Sequence, residues 1–194
     1  MKLLFVRHGE TDWNKQEKIQ GSTDTDLNET GLQQAKELGK ELEKESNKIR
    51  KVYTSRLKRA KVTAEMIAKH IGATVIVLDG LEELDLGNWE GLSWTEVENK
   101  YPEEFAAFAA DRRYTKITGG ESYQIMLDRL FAALDKVLHE EDEEVLLVTH
   151  SAVIRGLMTY LAGVPFEEMM QFKIPNLSLY EVDSEELRKK HETY

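Results

Sequence analysis

The sequence holds no cysteine among its 194 residues. That absence excludes thiolate catalysis, disulfides and cysteine-based metal sites, and it fits a reducing compartment such as the cytoplasm. Positive charge is in deficit: 26 Lys and Arg stand against 36 Asp and Glu, a formal net charge of −10. Such an acidic surface repels nucleic acid and anionic membrane, so neither is expected as a partner. A small anionic ligand would need a local cluster of Arg or His. Long apolar runs are missing as well. No stretch approaches the ~20 apolar residues of a membrane span. The opening run of Met1 to Val6 meets Arg7 too soon to serve as a signal peptide.

What is present fits one globular domain over residues 1–194, with a hydrophobic fraction of 41% that can fill a single core. Residues 2–6 read as a buried strand. Residues 7–27 are polar and punctuated by Gly9 and Gly21, a long loop of the kind that is usually functional. Asn28 is placed to cap a helix over 29–45, with Leu32, Ala35, Leu38, Gly39 and Leu42 on one face. Strands are expected at 51–54, 74–78, 145–149 and 178–182. Helices are expected at 56–70, 121–140 and 152–162. The charged tail after Asp183 reads as a peripheral or partly disordered helix. Between 79 and 120 the texture changes: glycines, Pro102, and the aromatics Trp89, Trp94, Tyr101, Phe105, Phe108 and Tyr114. Ser93 to Glu96 has the form of a capping box. This stretch predicts a small helical lid over about 92–120. The alternation of strands and helices predicts an α/β three-layer sandwich, its sheet mainly parallel with helices on both faces.

In such sheets ligands bind outside the carboxyl ends of the strands. Arg7 and His8 follow the first strand and His150 follows the strand at 145–149. Arg59 opens the helix after the second strand, and Glu83 follows the third by a few residues. Two guanidiniums, two imidazoles and one carboxylate therefore sit where they could converge. The set suits a phosphate group. Each guanidinium offers paired charge-assisted bonds to phosphate oxygens. A neutral imidazole is a competent nucleophile near neutral pH. A carboxyl group can protonate a leaving oxygen.

Arg7-His8-Gly9-Glu10-Thr11 with Trp13-Asn14 resembles the defining motif of the histidine phosphatase superfamily, in the branch with the cofactor-dependent phosphoglycerate mutases. Three further segments agree in order: Ser55 to Ala60 with Thr63-Ala64, Leu81 to Gly91, and Gly119 to Ser122 followed by Val148-Thr149-His150. The resemblance covers residues 2 to about 182. It implies that His8 carries the phosphoryl group, that Arg7, Arg59 and His150 hold it, and that Glu83 is the proton donor. It places Asn14, Gln20, Gly21 and Ser151 near phosphate and substrate. It implies a phosphomonoesterase acting on a small phosphorylated metabolite, with neither metal nor cofactor, as a monomer or homodimer. Ser151 replaces the glycine usual after the second histidine. Arg56 and Val62 replace a usual Pro and Gln.

Two rival functions share this reading. One is a phosphoglycerate mutase, which returns the phosphoryl group to substrate; the modest insertion argues against it. The other is a non-catalytic phosphoprotein-binding module, against which stand His8 and Glu83. The segment His150 to Arg155 has a slight likeness to α-ribazole phosphatases. Plainer readings apply elsewhere. His70, His139 and His191 are expected at the surface, and Lys58 and Lys61 on a solvated face. Trp94 and Tyr101, at helical spacing, are expected to face the core. Glu82, Asp85 and Glu90 are rivals to Glu83 as the acid. Arg112, Arg113 and Lys116 could meet a substrate carboxylate or second phosphate, or simply line a solvated edge. Asp24 with Asp26, and the run His139 to Asp142, resemble metal ligands only loosely.

Overall fold

The computed structural model describes residues 1–45, 48–141 and 143–191. Asp142, within the acidic run, and the last three residues of the tail lie outside the described residues. Five strands form one sheet: β1 (Lys2–Arg7), β2 (Lys51–Thr54), β3 (Thr74–Val77), β4 (Val145–Thr149) and β5 (Leu179–Asp183), in the order β3-β2-β4-β1-β5. The first four in that order are parallel, and β5 runs antiparallel against β1. The sheet is thus mainly parallel.

Alternation along the strands accounts for the layers. Leu3, Phe5, Tyr53, Val145 and Leu147 join one apolar cluster, whereas Leu4, Val6, Val52, Leu146 and Val148 join another. The second cluster is closed by α2 (Glu29–Glu45) and α3 (Lys58–Ile71), which contribute Leu42, Ala60, Ala64 and Ile67. The first is closed by α6 (Tyr123–Glu140) and α7 (Ser151–Ala162), through residues such as Leu127, Leu130, Leu134, Val153 and Leu157. A sheet between two helical layers follows directly from two apolar faces.

The order of strands creates the site. β1 and β4 are parallel neighbours. The chain leaving β1 goes to α2 on one face, and the chain leaving β4 goes to α7 on the other. That is a topological switch point, where a crevice opens beyond the strand ends.

Several local expectations are refined. The loop after β1 contains a single helical turn, α1 (Asp12–Lys15), with Thr11 and Asn14 in a capping box. Asn28 accepts from the Gly31 N–H at 2.9 Å, so it caps α2. Leu32 is more exposed than its helix position predicts, at 39%. The segment after β3 carries α4 (Trp94–Lys100) and α5 (Pro102–Ala110), with the Ser93–Glu96 capping box in place. Here the expectation for Trp94 fails. Trp94 is 46% exposed, and the residue buried among the aromatics is Trp89, fully enclosed and edge-on to Phe108. Trp94 sits in the first turn of α4, its ring in a T-shaped contact with that of Trp89. Tyr101 is half-buried against the core. The tail forms α8 (Ser184–His191), whose His191 stacks flat on Phe131. Among the described residues no helix is long and apolar enough to cross a membrane.

Candidate active site

His8 is the first residue past β1. Its N–H still reaches the Thr149 carbonyl of β4, so the ladder extends one step into the site. The turn that follows requires glycine. A Cβ on Gly9 would lie 2.6 Å from the Gly31 carbonyl oxygen, and one on Gly31 would lie 2.2 Å from that of Glu10. Two glycines let the loop lie directly on the start of α2. The Gly9 N–H also donates to the Thr63 hydroxyl at 3.0 Å. From behind, the Asn176 amide donates to the His8 carbonyl at 2.8 Å.

The His8 ring bonds through Nδ1 to the Gly9 carbonyl at 2.7 Å. A carbonyl can only accept, so Nδ1 carries the proton and Nε2 keeps its lone pair. Burial holds this imidazole well below the ordinary histidine range, and Arg59 and Arg7 add to the effect. His8 is thereby kept neutral and nucleophilic.

His150 caps β4 and begins α7, wholly buried. Its ring lies 5.2 Å from that of His8, centroid to centroid, at 57°. Nε2 pairs with the Ser55 hydroxyl at 2.7 Å, while Nδ1 is buried without a partner among the described residues. When the Ser55 hydroxyl donates to Nε2, the ring proton is on Nδ1, where an anion can accept it. Burial, with Arg59 next, keeps this ring neutral as well.

Arg7 is anchored by one Nη donating to the Ile174 carbonyl at 2.6 Å. Arg59, fully buried near the start of α3, donates to the carbonyls of Thr23 at 2.6 Å and Gly21 at 2.7 Å. In both, Nε is a buried donor with no partner among the described residues. Together with His150 Nδ1, three enclosed side-chain nitrogens lack a partner among the described residues. Such groups are costly, about 1–3 kcal/mol each when unmet, and an oxyanion is what would meet them.

Neither α3 nor α7 is capped by its own N-cap side chain. Carboxylates from distant loops do this instead. Asp24 accepts from the Lys58 N–H at 2.7 Å. Glu83 accepts from the Ala152 N–H at 3.1 and 3.3 Å, and from its neighbour Leu84 at 3.0 Å. The positive end of α7 thus seats the Glu83 carboxylate beside the two histidines. Asp24, which resembled a metal ligand, is a helix cap. Among the described residues no three His, Asp or Glu side chains gather as a metal site.

A cavity of about 650 Å³ opens over this floor. Arg7, His8, Asn14, Gln20, Gly21, Glu83 and Ser151 line it, while Arg59 and His150 lie just beneath. All nine residues singled out in the sequence are therefore in or under one cavity. The rivals of Glu83 are elsewhere: Glu82 accepts from Gly80, Asp85 from Gly87, and Glu90 from the Ser22 and Thr23 backbone. Ser151 points its hydroxyl at Glu83 from 3.4 Å, long for such a bond. The Asn14 and Gln20 amide oxygens are taken up inside the loop, by Thr11 and, for Gln20, Thr25 as well.

Sequence reasoning missed a supporting ring. Ser55 and Thr63 stand in the second motif but carried no role. Arg129 of α6 grips the acid loop, donating to the carbonyls of Gly80, Glu82 and Glu83 and pairing with Glu121. The Thr149 hydroxyl donates to the Leu81 carbonyl at 2.6 Å. Nothing local marks Arg129 or Asn176, because the carbonyls they reach lie tens of residues away.

A family model described as the histidine phosphatase superfamily (branch 1) matches residues 3–194. The chain belongs to that superfamily. Phosphoserine phosphatase 1 of Hydrogenobacter thermophilus is 35% identical over 189 residues, covering 97% of this chain and 89% of that protein. A metal-independent phosphoserine phosphatase of Arabidopsis thaliana is 42% identical over 159 residues, covering 80% of this chain and 66% of the plant protein. Among solved structures, a mycobacterial glucosyl-3-phosphoglycerate phosphatase complexed with VO3 superposes with a TM-score of 0.82 at 29% identity, covering 94% of this chain and 90% of that one. Histidine phosphatase branch 1 thus accounts for the fold and for the order of the motifs.

Proposed function

We propose that this histidine phosphatase is a phosphomonoesterase for a small phosphorylated metabolite, working through a phosphohistidine on His8. The observation that carries the reading is the floor itself: a neutral imidazole, 5.2 Å from a second imidazole, above three buried side-chain nitrogens that lack a partner among the described residues.

The steps follow from the placement. The substrate phosphoryl group lies over His8, held by Arg7, Arg59 and His150. Positioning and charge compensation are most of what phosphoryl transfer requires. Nε2 of His8 attacks phosphorus, and the bond to the leaving oxygen breaks. Glu83 gives that oxygen a proton. Glu83 then takes a proton from a water molecule as the water attacks phosphorus. The P–N bond breaks, and inorganic phosphate leaves with His8 restored. The N–H of Ser151 and the edge of the 20–21 loop supply further contacts, and residues 92–120 cover the bound substrate.

The relatives named above are phosphatases, which favours water over a sugar acid as phosphoryl acceptor and weighs against the mutase reading. The nucleophile and acid share one cavity, which weighs against a mere phosphoprotein-binding module. The test is hydrolysis of p-nitrophenyl phosphate with a chelator present, followed by isolation of phosphoprotein after an alkaline denaturing quench. Acid-labile, base-stable label on His8 is expected. Turnover that disappears with chelator, or label elsewhere, would overturn the mechanism.

A further inference from the structure

Trp94, Arg112 and Met170 line the upper wall of the cavity, and Arg113 and Lys116 do not. Gln20 and Gly21 line it from the loop after α1. Arg59 depends on that loop. Every hydrogen bond of its guanidinium among the described residues goes to residues 21–25: the carbonyls of Thr23 and Gly21, and the Thr25 hydroxyl at 3.4 Å. Both Nη groups are thereby committed. Because the guanidinium is planar and rigid, the direction of its partnerless Nε follows from where those two carbonyls stand.

One carboxylate fixes them. Glu90 Oε1 accepts from the Ser22 N–H at 2.7 Å, the Ser22 hydroxyl at 3.0 Å and the Leu86 N–H at 3.2 Å. Glu90 Oε2 accepts from the Thr23 N–H at 3.0 Å and the Thr23 hydroxyl at 2.5 Å. Gly21 makes room for it: its φ is +51°, and a Cβ there would lie 2.1 Å from Glu90 Oε1. The backbone holds the two loops together beside this point, with Gly91 donating to the Ile19 carbonyl and Ile19 to the Leu92 carbonyl, both at 2.8 Å. Burial lowers the Arg59 guanidinium, and Glu83, Asp24 and Glu90 oppose that shift, so Glu90 also helps to keep the cation charged. Glu90 itself is not in the cavity lining. It joins the stretch that carries the proton donor Glu83 to the loop that aims a phosphate-binding arginine.

We infer that Glu90 is a positioning residue for phosphate binding, which acts through Ser22 and Thr23 to set the carbonyls that aim Arg59 Nε at the transferred phosphoryl group. The inference rests on the phosphatase reading for the identity of the anion. It requires a carboxylate rather than an amide at this position. Both oxygens accept from a main-chain N–H, so whichever one an amide NH2 replaced would set donor against donor.

The test is Glu90→Gln, with turnover and the binding of inorganic phosphate measured separately, the latter by calorimetry. Phosphate affinity should fall ~10-fold and kcat/KM by at least as much, by the same factor for p-nitrophenyl phosphate and for alkyl phosphates, because the proton donor is untouched. Thr23→Val removes one hydroxyl donor and keeps the backbone bonds, so it should show the same pattern at ~3-fold; it also serves as the reading if Glu90→Gln does not fold. Unchanged phosphate affinity in a folded variant would overturn the inference. So would a loss confined to alkyl phosphates, which would mean that Glu90 acts on Glu83 instead. Wild-type protein that binds phosphate but hydrolyses no ester would overturn the phosphatase reading alone, and protein that does neither would overturn both.

Discussion

The floor and the upper wall of the cavity are built on opposite plans. On the floor, His8, Ser55, Arg59, Thr63, Thr149 and His150 are all buried, and each is tied by at least one hydrogen bond to a distant segment, His8 through its backbone. On the wall, Trp94 and Met170 are nearly half exposed, and the Arg112 guanidinium lies over the Phe108 ring. The floor has little freedom to lose when a phosphate arrives, which is how preorganised electrostatics lower a barrier. The wall can change residues without disturbing the sheet. A fold that carries one reaction on many substrates needs that division.

The contrast can be broken most severely at the floor. His8→Ala should lower kcat/KM for p-nitrophenyl phosphate by at least ~10⁴-fold while circular dichroism stays native; near-normal turnover would mean that the floor is not the reacting centre. Glu83→Gln should cost ~10²–10³-fold for alkyl phosphates and clearly less for p-nitrophenyl phosphate, whose leaving oxygen scarcely needs a proton. An equal loss for both would make Glu83 a cap of α7 rather than an acid. Ser55→Ala should cost ~10-fold in kcat and weaken inhibition by inorganic phosphate, because His150 loses the bond that sets its tautomer.

A fourth prediction concerns stability. Both site histidines are held below their ordinary range in the folded state, chiefly by burial. The unfolded chain takes up protons near pH 6.5 while the folded chain does not. Stability should therefore fall as pH drops below about 6.5, by at most about 1.4 kcal/mol per pH unit for each histidine, until the folded rings protonate. Urea unfolding at pH 7.0 and 5.5 measures this, and His150→Gln should reduce the difference. The smallest effect belongs to the wall. Trp94→Ala should change stability by no more than about 1 kcal/mol and act mainly on KM. A large drop in melting temperature would show that the wall belongs to the core after all.

Much of this was legible in residue order. Helix α2 and strands β2 and β4 fall where the periodicity and caps of 29–45, 51–54 and 145–149 place them, because a buried strand and an amphipathic helix write their own pattern. The nine candidate residues in or under the cavity were legible for another reason: each adjoins a strand end or stands in a motif. The supporting partners were not. Arg129, Asn176 and Thr149 act on carbonyls that only the folded chain brings near. Trp94 and Trp89 are five residues apart and equally apolar, and no local pattern says which of them is enclosed.

The amino-acid order alone determined which groups could do chemistry, and that they would lie at the carboxyl edge of a mainly parallel sheet, because side-chain type and hydrophobic period are properties of the chain. Tertiary structure alone decided that β4 slots between β1 and β2 and brings His150 to His8. It also decided that Glu83 rather than Glu82 meets the end of α7, and that Arg112 rather than Arg113 faces the cavity. Those outcomes depend on contacts between residues far apart in the chain, which packing selects and local preference does not encode.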